Sequence, residues 1–280
     1  MAGAGHDGCV NSNPTSIDLR NTALVALACL DLTSLNEDDT PARIDALCDR
    51  ALDPVPGLDV RPAAVCVMAR FAAQAAGRVA GSGVAVAVVA NFPGGDAGVG
   101  AVIDEVEAAL ADGADEIDVV FPYRAFLAGR ADAAGHLIAM VSHACKEREH
   151  PALLKVILET GAIAARAAIT AAALCAVDAG ADFLKTSTGK LTPGATPQAA
   201  EALLEVIADV RHREGRSLGL KVSGGVRTVA DAALYLGLAE EHLAPEPVGP
   251  ANLRIGASGL LDGIVAILAP RAGAPRGAGA

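Results

Sequence analysis

The feature that most limits how this chain can fold is a repeated rhythm: a short β-type run, a polar loop, then an alanine-rich stretch with helical period. The β-type runs fall at 24–30, 63–68, 84–90, 116–121, 153–159, 183–187, 218–223 and 253–257. Helical stretches between them include 38–52, 98–112, 131–149, 162–179, 196–214 and 227–241, and Gly113, Gly180 and Gly215 stand where helices should stop. Strands that alternate with helices pair in parallel, and eight is the number that closes a (β/α)8 barrel. An open doubly wound sheet is the rival, but it carries a glycine-rich turn after its first strand. Here that run leads into Asp31-Leu32-Thr33-Ser34-Leu35-Asn36, without a glycine. The expected fold is therefore α/β, a single (β/α)8 TIM barrel over 17–270. A loose arm is expected at 1–16, rich in Gly, Asn, Ser and Pro, and a loose tail at 271–280.

Successive strand residues point to opposite faces, so the apolar positions reveal the inward ones. Ile117, Val119 and Phe121 suit the helix-facing side, which turns Asp118 inward. Leu154, Val156 and Leu158 turn Lys155, Ile157 and Glu159 inward, while Leu218, Leu220 and Val222 turn Lys221 and Ser223 inward. The same parity places Lys185 inside with Phe183 and Ser187, and Cys66 and Asp31 complete the inward polar set. Three consecutive strands thus each aim one lysine into the barrel. Burying a single charge already costs several kcal/mol, and strands lie about 4.8 Å apart. At an effective dielectric of about 20, two such ammonium groups repel by roughly 3–4 kcal/mol. One of them should lose its proton, and a neutral, desolvated lysine is a nucleophile toward carbonyls. Lys185 is the expected nucleophile, Lys221 the cation that depresses it, and Asp118 either their counter-charge or a proton relay.

The last three strands end in loops suited to an anion: Thr188-Gly189-Lys190, Ser223-Gly224-Gly225-Val226-Arg227 and Gly256-Ala257-Ser258-Gly259. Glycines before a helix start leave free N–H groups and a favourable dipole for phosphate, and barrels often hold phosphate at strands seven and eight. A phosphorylated small molecule is the expected ligand. The candidate binding set is Asp31, Cys66, Lys155, Thr188, Gly189, Lys190, Gly224, Gly225, Gly256 and Ser258.

Other classes are disfavoured. A net charge of −11 lacks the basic footprint that nucleic acid requires, and no apolar run approaches the roughly 20 residues that span a bilayer. No G-x-G-x-x-G follows a strand, so no dinucleotide site is expected. His136, His143 and His150 recur every seven residues, too far apart on a helix to share a metal, and no H-E-x-x-H occurs. The six cysteines form no C-x-x-C pair, and neither a signal peptide nor disulfides are indicated, so a reducing, cytoplasmic setting is expected.

Several motifs, in order, resemble those of the deoxyribose-phosphate aldolase family, from about residue 24 to 262. They are Cys29-Leu30-Asp31-Leu32-Thr33, Val65-Cys66-Val67, Val89-Ala90-Asn91-Phe92-Pro93, 113–120, Leu154-Lys155-Val156-Ile157-Leu158-Glu159-Thr160, Lys185-Thr186-Ser187-Thr188-Gly189 and Gly224-Gly225-Val226-Arg227. The resemblance implies a (β/α)8 barrel that reversibly cleaves 2-deoxy-D-ribose 5-phosphate to acetaldehyde and D-glyceraldehyde 3-phosphate, with no metal or organic cofactor. It implies that Lys185 forms the Schiff base, Lys221 perturbs it and Asp118 relays protons. It also implies that Gly189, Lys190, Gly224, Gly225 and Ser258 contact phosphate, and that the chain forms a homodimer.

Three positions depart from the family pattern. Strand seven reads Lys221-Val222-Ser223-Gly224, a mild change. Gly259 stands where some members carry a second serine, and losing one hydrogen bond to a charged group costs about 1.5–3 kcal/mol. The tail has no tyrosine, whereas some members use a C-terminal one in proton transfer. Two other readings remain at this point: a sugar-phosphate isomerase using Glu159 as base, and a non-catalytic barrel that binds phosphorylated metabolites.

Overall fold

A computed structural model describes residues 16–269. Eight parallel strands close into a barrel in sequence order: β1 (Leu30–Thr33), β2 (Ala64–Met68), β3 (Ala85–Ala90), β4 (Glu116–Val120), β5 (Leu153–Ile157), β6 (Phe183–Lys185), β7 (Gly219–Ser223) and β8 (Leu253–Ala257). Among the described residues no helix is long and apolar enough to cross a membrane.

The first β-type run is misplaced by the sequence reading. Residues 24–28 belong to a helix, Ser16–Ala28, and β1 starts only at Leu30. Alanine and leucine are strong helix formers, and Ala23, Ala26 and Leu27 are fully buried at helical spacing. That helix packs on Val229–Leu243 and Leu260–Leu268. Ser16 is thus helical, while the rest of the expected arm and the tail at 271–280 lie outside the described residues. The stretch 162–179 divides into Thr160–Ile163 and Arg166–Asp178, because Ala164 between them takes a left-handed φ of 62°. Helices at Ala72–Val79, Tyr123–Leu127 and Leu260–Leu268 complete the outer layer. Gly113, Gly180 and Gly215 all have positive φ at helix ends, as their placement predicts.

Alternation sorts the strand residues into two zones. Ile117, Val119, Leu154, Val156, Leu220 and Val222 join the large core between barrel and helices. Inside the barrel, Ala64, Cys66, Ala87 and Val89 form a separate small apolar cluster with Leu35 on the β2–β3 side. The other side of the lumen is filled with charge. Register then sets heights: Asp118 lies opposite Lys155 and Lys155 opposite Phe183. Ile157 lies opposite Lys185, and Lys185 opposite Lys221. Lys155 therefore sits one inward layer below Lys185, toward the strands' N-terminal end.

Candidate active site

Asp118 is the hub of the charged side. Its Oδ2 accepts from Lys185 Nζ at 2.7 Å and from Lys221 Nζ at 2.7 Å, and its Oδ1 accepts from Lys155 Nζ at 2.8 Å. Lys221 also donates to Asp31, and Lys155 donates to Glu116 at 2.5 Å. Arg254 on β8 ties two of these carboxylates together, donating to Asp31 Oδ1 at 2.9 Å and to Glu116 Oε1 at 2.7 Å. Each of these seven side chains is buried. Four basic groups thus face three carboxylates. With Lys185 uncharged the cluster is electrically balanced; with Lys185 protonated this buried cluster carries a net positive charge.

The protonation preferences follow. Burial pushes the Lys185 ammonium below the ordinary lysine value; Asp118 opposes this and Lys221 adds to it. Burial also disfavours the Lys221 cation, but Asp118 and Asp31 outweigh it and hold Lys221 well above the usual range. Lys155 is raised in the same way, against burial, by Asp118 and Glu116. Burial would raise Asp118, yet Lys155, Lys185 and Lys221 together hold it far below the usual carboxylate range. Asp31 is drawn down to about 2, its burial outweighed by Lys221, Lys155 and Arg254.

The direction expected for Lys185 from sequence is therefore found, and of the two causes named there burial ranks first. Repulsion from Lys221 ranks behind both desolvation and the opposing attraction of Asp118, which pairs with all three lysines.

Above this network opens a cavity of about 280 Å³. Lys185 reaches its wall, together with Thr188, Gly189, Lys190, Ser223, Gly224, Gly225, Val226, Arg227, Gly256, Ser258 and Gly259. Thr33, Ser34, Leu35 and Asn36 supply the β1 side. The loops meet closely: a Cβ on Gly224 would lie 3.2 Å from the Gly189 Cα and 3.1 Å from the Gly194 Cα, and Gly224 takes a φ of 84°. Only glycine meets both demands. A Cβ on Gly256 would press on Ser223 Cβ at 3.0 Å and Lys221 Cε at 3.2 Å, so this glycine makes room for the lysine stem.

Asp31, Cys66 and Lys155, expected among the binding residues, do not line the cavity; they are buried below it. For Lys155 the reason is its register, one layer down. Burial keeps the Cys66 thiol above its usual value and hence neutral. Thr188 lines the cavity, but its N–H and hydroxyl are committed to Glu159 Oε2, at 3.2 and 2.5 Å. Glu159 is fully buried in that role and does not reach the cavity, which removes the carboxylate that an isomerase reading needs. The sequence reading missed Glu116 and Arg254, although the parity that finds Asp118 and Lys221 also turns these two inward. Among the described residues no group of three or more His, Cys, Asp or Glu could hold a metal ion.

Residues 25–261 match the description DeoC/LacD family aldolase. A deoxyribose-phosphate aldolase of Agrobacterium fabrum is 46% identical over 251 residues, covering 89% of this chain and 93% of that protein. A crystal structure from Toxoplasma gondii ME49, provisionally named a deoxyribose-phosphate aldolase, superposes with a TM-score of 0.80 at 26% identity, covering 90% of this chain and 96% of that one. The tetrameric deoxyribose phosphate aldolase of Aeropyrum pernix gives a TM-score of 0.67 at 25% identity over 91% of this chain and 97% of that one.

Proposed function

The chain belongs to the DeoC/LacD family of aldolases, and from that premise we propose that it reversibly cleaves 2-deoxy-D-ribose 5-phosphate to acetaldehyde and D-glyceraldehyde 3-phosphate through a Schiff base on Lys185. One observation carries this reading: of the four basic residues in the buried cluster, Lys185 alone lines the cavity that the glycine-rich loops surround.

In the cleavage direction the neutral amine of Lys185 adds to the C1 aldehyde of the open-chain sugar, and loss of water leaves a protonated imine. The imine withdraws electrons as the C2–C3 bond breaks and the C3 hydroxyl gives up its proton. D-glyceraldehyde 3-phosphate departs, and the enamine that remains takes a proton at C2. Hydrolysis then frees acetaldehyde and Lys185. Asp118 contacts both Lys185 and Lys221 through one oxygen, so protons pass along a short path at the imine nitrogen, and water carries them to carbon. Gly189, Gly224 and Gly225, with Lys190, Arg227 and Ser258, line the cavity and are the groups that would receive the phosphate, through backbone N–H groups, cationic side chains and a hydroxyl. The reading extends to a homodimer, supported by the family resemblance, and to a reducing cytoplasm, supported by five free cysteines among the described residues.

Borohydride reduction in the presence of acetaldehyde tests the assignment. A two-carbon adduct is expected on Lys185 and should vanish in Lys185→Leu; an adduct on another lysine would overturn it.

A further inference from the structure

Four groups of the charged cluster, Asp31, Glu116, Lys155 and Arg254, do not touch the cavity yet are ion-paired with one another, an expensive way to fill a barrel floor. Arg254 is its keystone. Its guanidinium bridges Asp31 and Glu116, its Nε donates to Pro250 O at 2.5 Å, and its plane lies 5.6 Å from the Phe183 ring centre. We infer that Arg254 is a positioning residue that sets the charge count of the cluster and thereby keeps Lys185 an uncharged amine. This inference rests on the aldolase reading of Lys185.

The argument is one of balance. Around Lys185 stand Asp31 on β1, Cys66 on β2, Glu116 and Asp118 on β4, Lys155 on β5, Lys221 on β7 and Arg254 on β8. The inward residues of β3, Ala87 and Val89, bring no titratable group. Cys66 is a neutral thiol, so three carboxylates are matched by Lys155, Lys221 and Arg254, leaving Lys185 as the surplus base. Without the Arg254 charge the carboxylates would outnumber the remaining cations. The deficit would be met by a proton on Lys185, because Asp31 and Asp118 are held too low to take it near neutrality and Glu116 keeps its ion pair with Lys155. Without the Glu116 charge the surplus grows, and Lys185 is driven further toward the neutral form.

β8 and β4 each lie two strands from β6, and unlike Asp118 neither Arg254 nor Glu116 pairs with Lys185, so their charges stand on the order of 10 Å from it. A unit charge at that range and an effective dielectric of about 20 moves a titration by about one pH unit.

The test is the pH dependence of borohydride trapping at Lys185 with acetaldehyde, in the full-length protein and three variants. Arg254→Met should move the acid limb of the profile upward by about one unit, and Glu116→Gln should move it downward by about as much. Arg254→Lys, which keeps the charge, should restore the original limb even where the rate falls. A role confined to packing would lower yield or stability in both variants without moving the limb, and that result, or a shift of both in the same direction, would overturn the inference. Should Arg254→Met fail to fold, the direction of the Glu116→Gln shift decides alone. Absence of trapping at Lys185 in the unmodified protein would instead overturn the aldolase reading itself.

Discussion

Replacing Asp118 with Asn tests the hub. The carboxylate is fully buried and accepts from three lysines at 2.7–2.8 Å, so the change removes the charge shared by all of them while keeping the shape. Breaking a buried ionic pair by removing one partner costs about 3–5 kcal/mol. In a barrel of this size that lowers the melting temperature by roughly 10 °C, and total stability is only about 5–15 kcal/mol. The effect on chemistry has two parts of different sign. Asp118 raises the Lys185 pKa, so its loss leaves the amine neutral to lower pH, and trapping with acetaldehyde should persist into more acidic solution. Turnover of deoxyribose 5-phosphate should nonetheless fall by about 10²–10⁴-fold, the usual contribution of a positioned acid–base group. Melting curves, trapping profiles and steady-state rates on one preparation separate the effects. Turnover within threefold of the unmodified protein, or trapping confined to higher pH, would refute the reasoning.

Two further outcomes follow from the same geometry. Asp31 is held at about 2 in the folded protein; because that value is depressed, its contribution is fully present above about pH 4 and lost as pH falls toward 2, a loss of roughly 2–3 kcal/mol that should appear as a falling urea midpoint over that window. Gly256→Ala should push the Lys221 stem and Ser223, destabilising the fold by about 1–3 kcal/mol and slowing turnover, whereas the same change at Gly263, where a Cβ meets nothing within 4 Å, should do neither.

Much of this site is legible in the chain because alternation acts locally. On β4, β5 and β7 the apolar residues flank each charged one so regularly that Asp118, Lys155 and Lys221 can be turned inward without knowing the barrel. β1 is harder. The run Leu24–Leu30 is apolar throughout, and periodicity alone does not separate a buried strand from a buried helix. Only the packing of Ala23, Ala26 and Leu27 on neighbouring helices settles it. Layer height is a second gap. Parity places Lys155 inside but not one layer below Lys185, which depends on the register between strands. The third gap is electrostatic: parity offers Asp118 as the one counter-charge to three crowded lysines, while the structure adds Asp31 and Glu116 and pairs every lysine with a carboxylate. Those acids turn the problem from repulsion into balance, and balance singles out Lys185.

The most direct measurement is a residue-resolved titration of the lysine amines, by competitive labelling read out by mass spectrometry across pH. Lys185 should become reactive below the ordinary lysine range, while Lys221 and Lys155 stay protonated above it. An ordinary or raised value for Lys185, or Lys221 losing its proton first, would contradict a neutral nucleophile at the floor of this cavity.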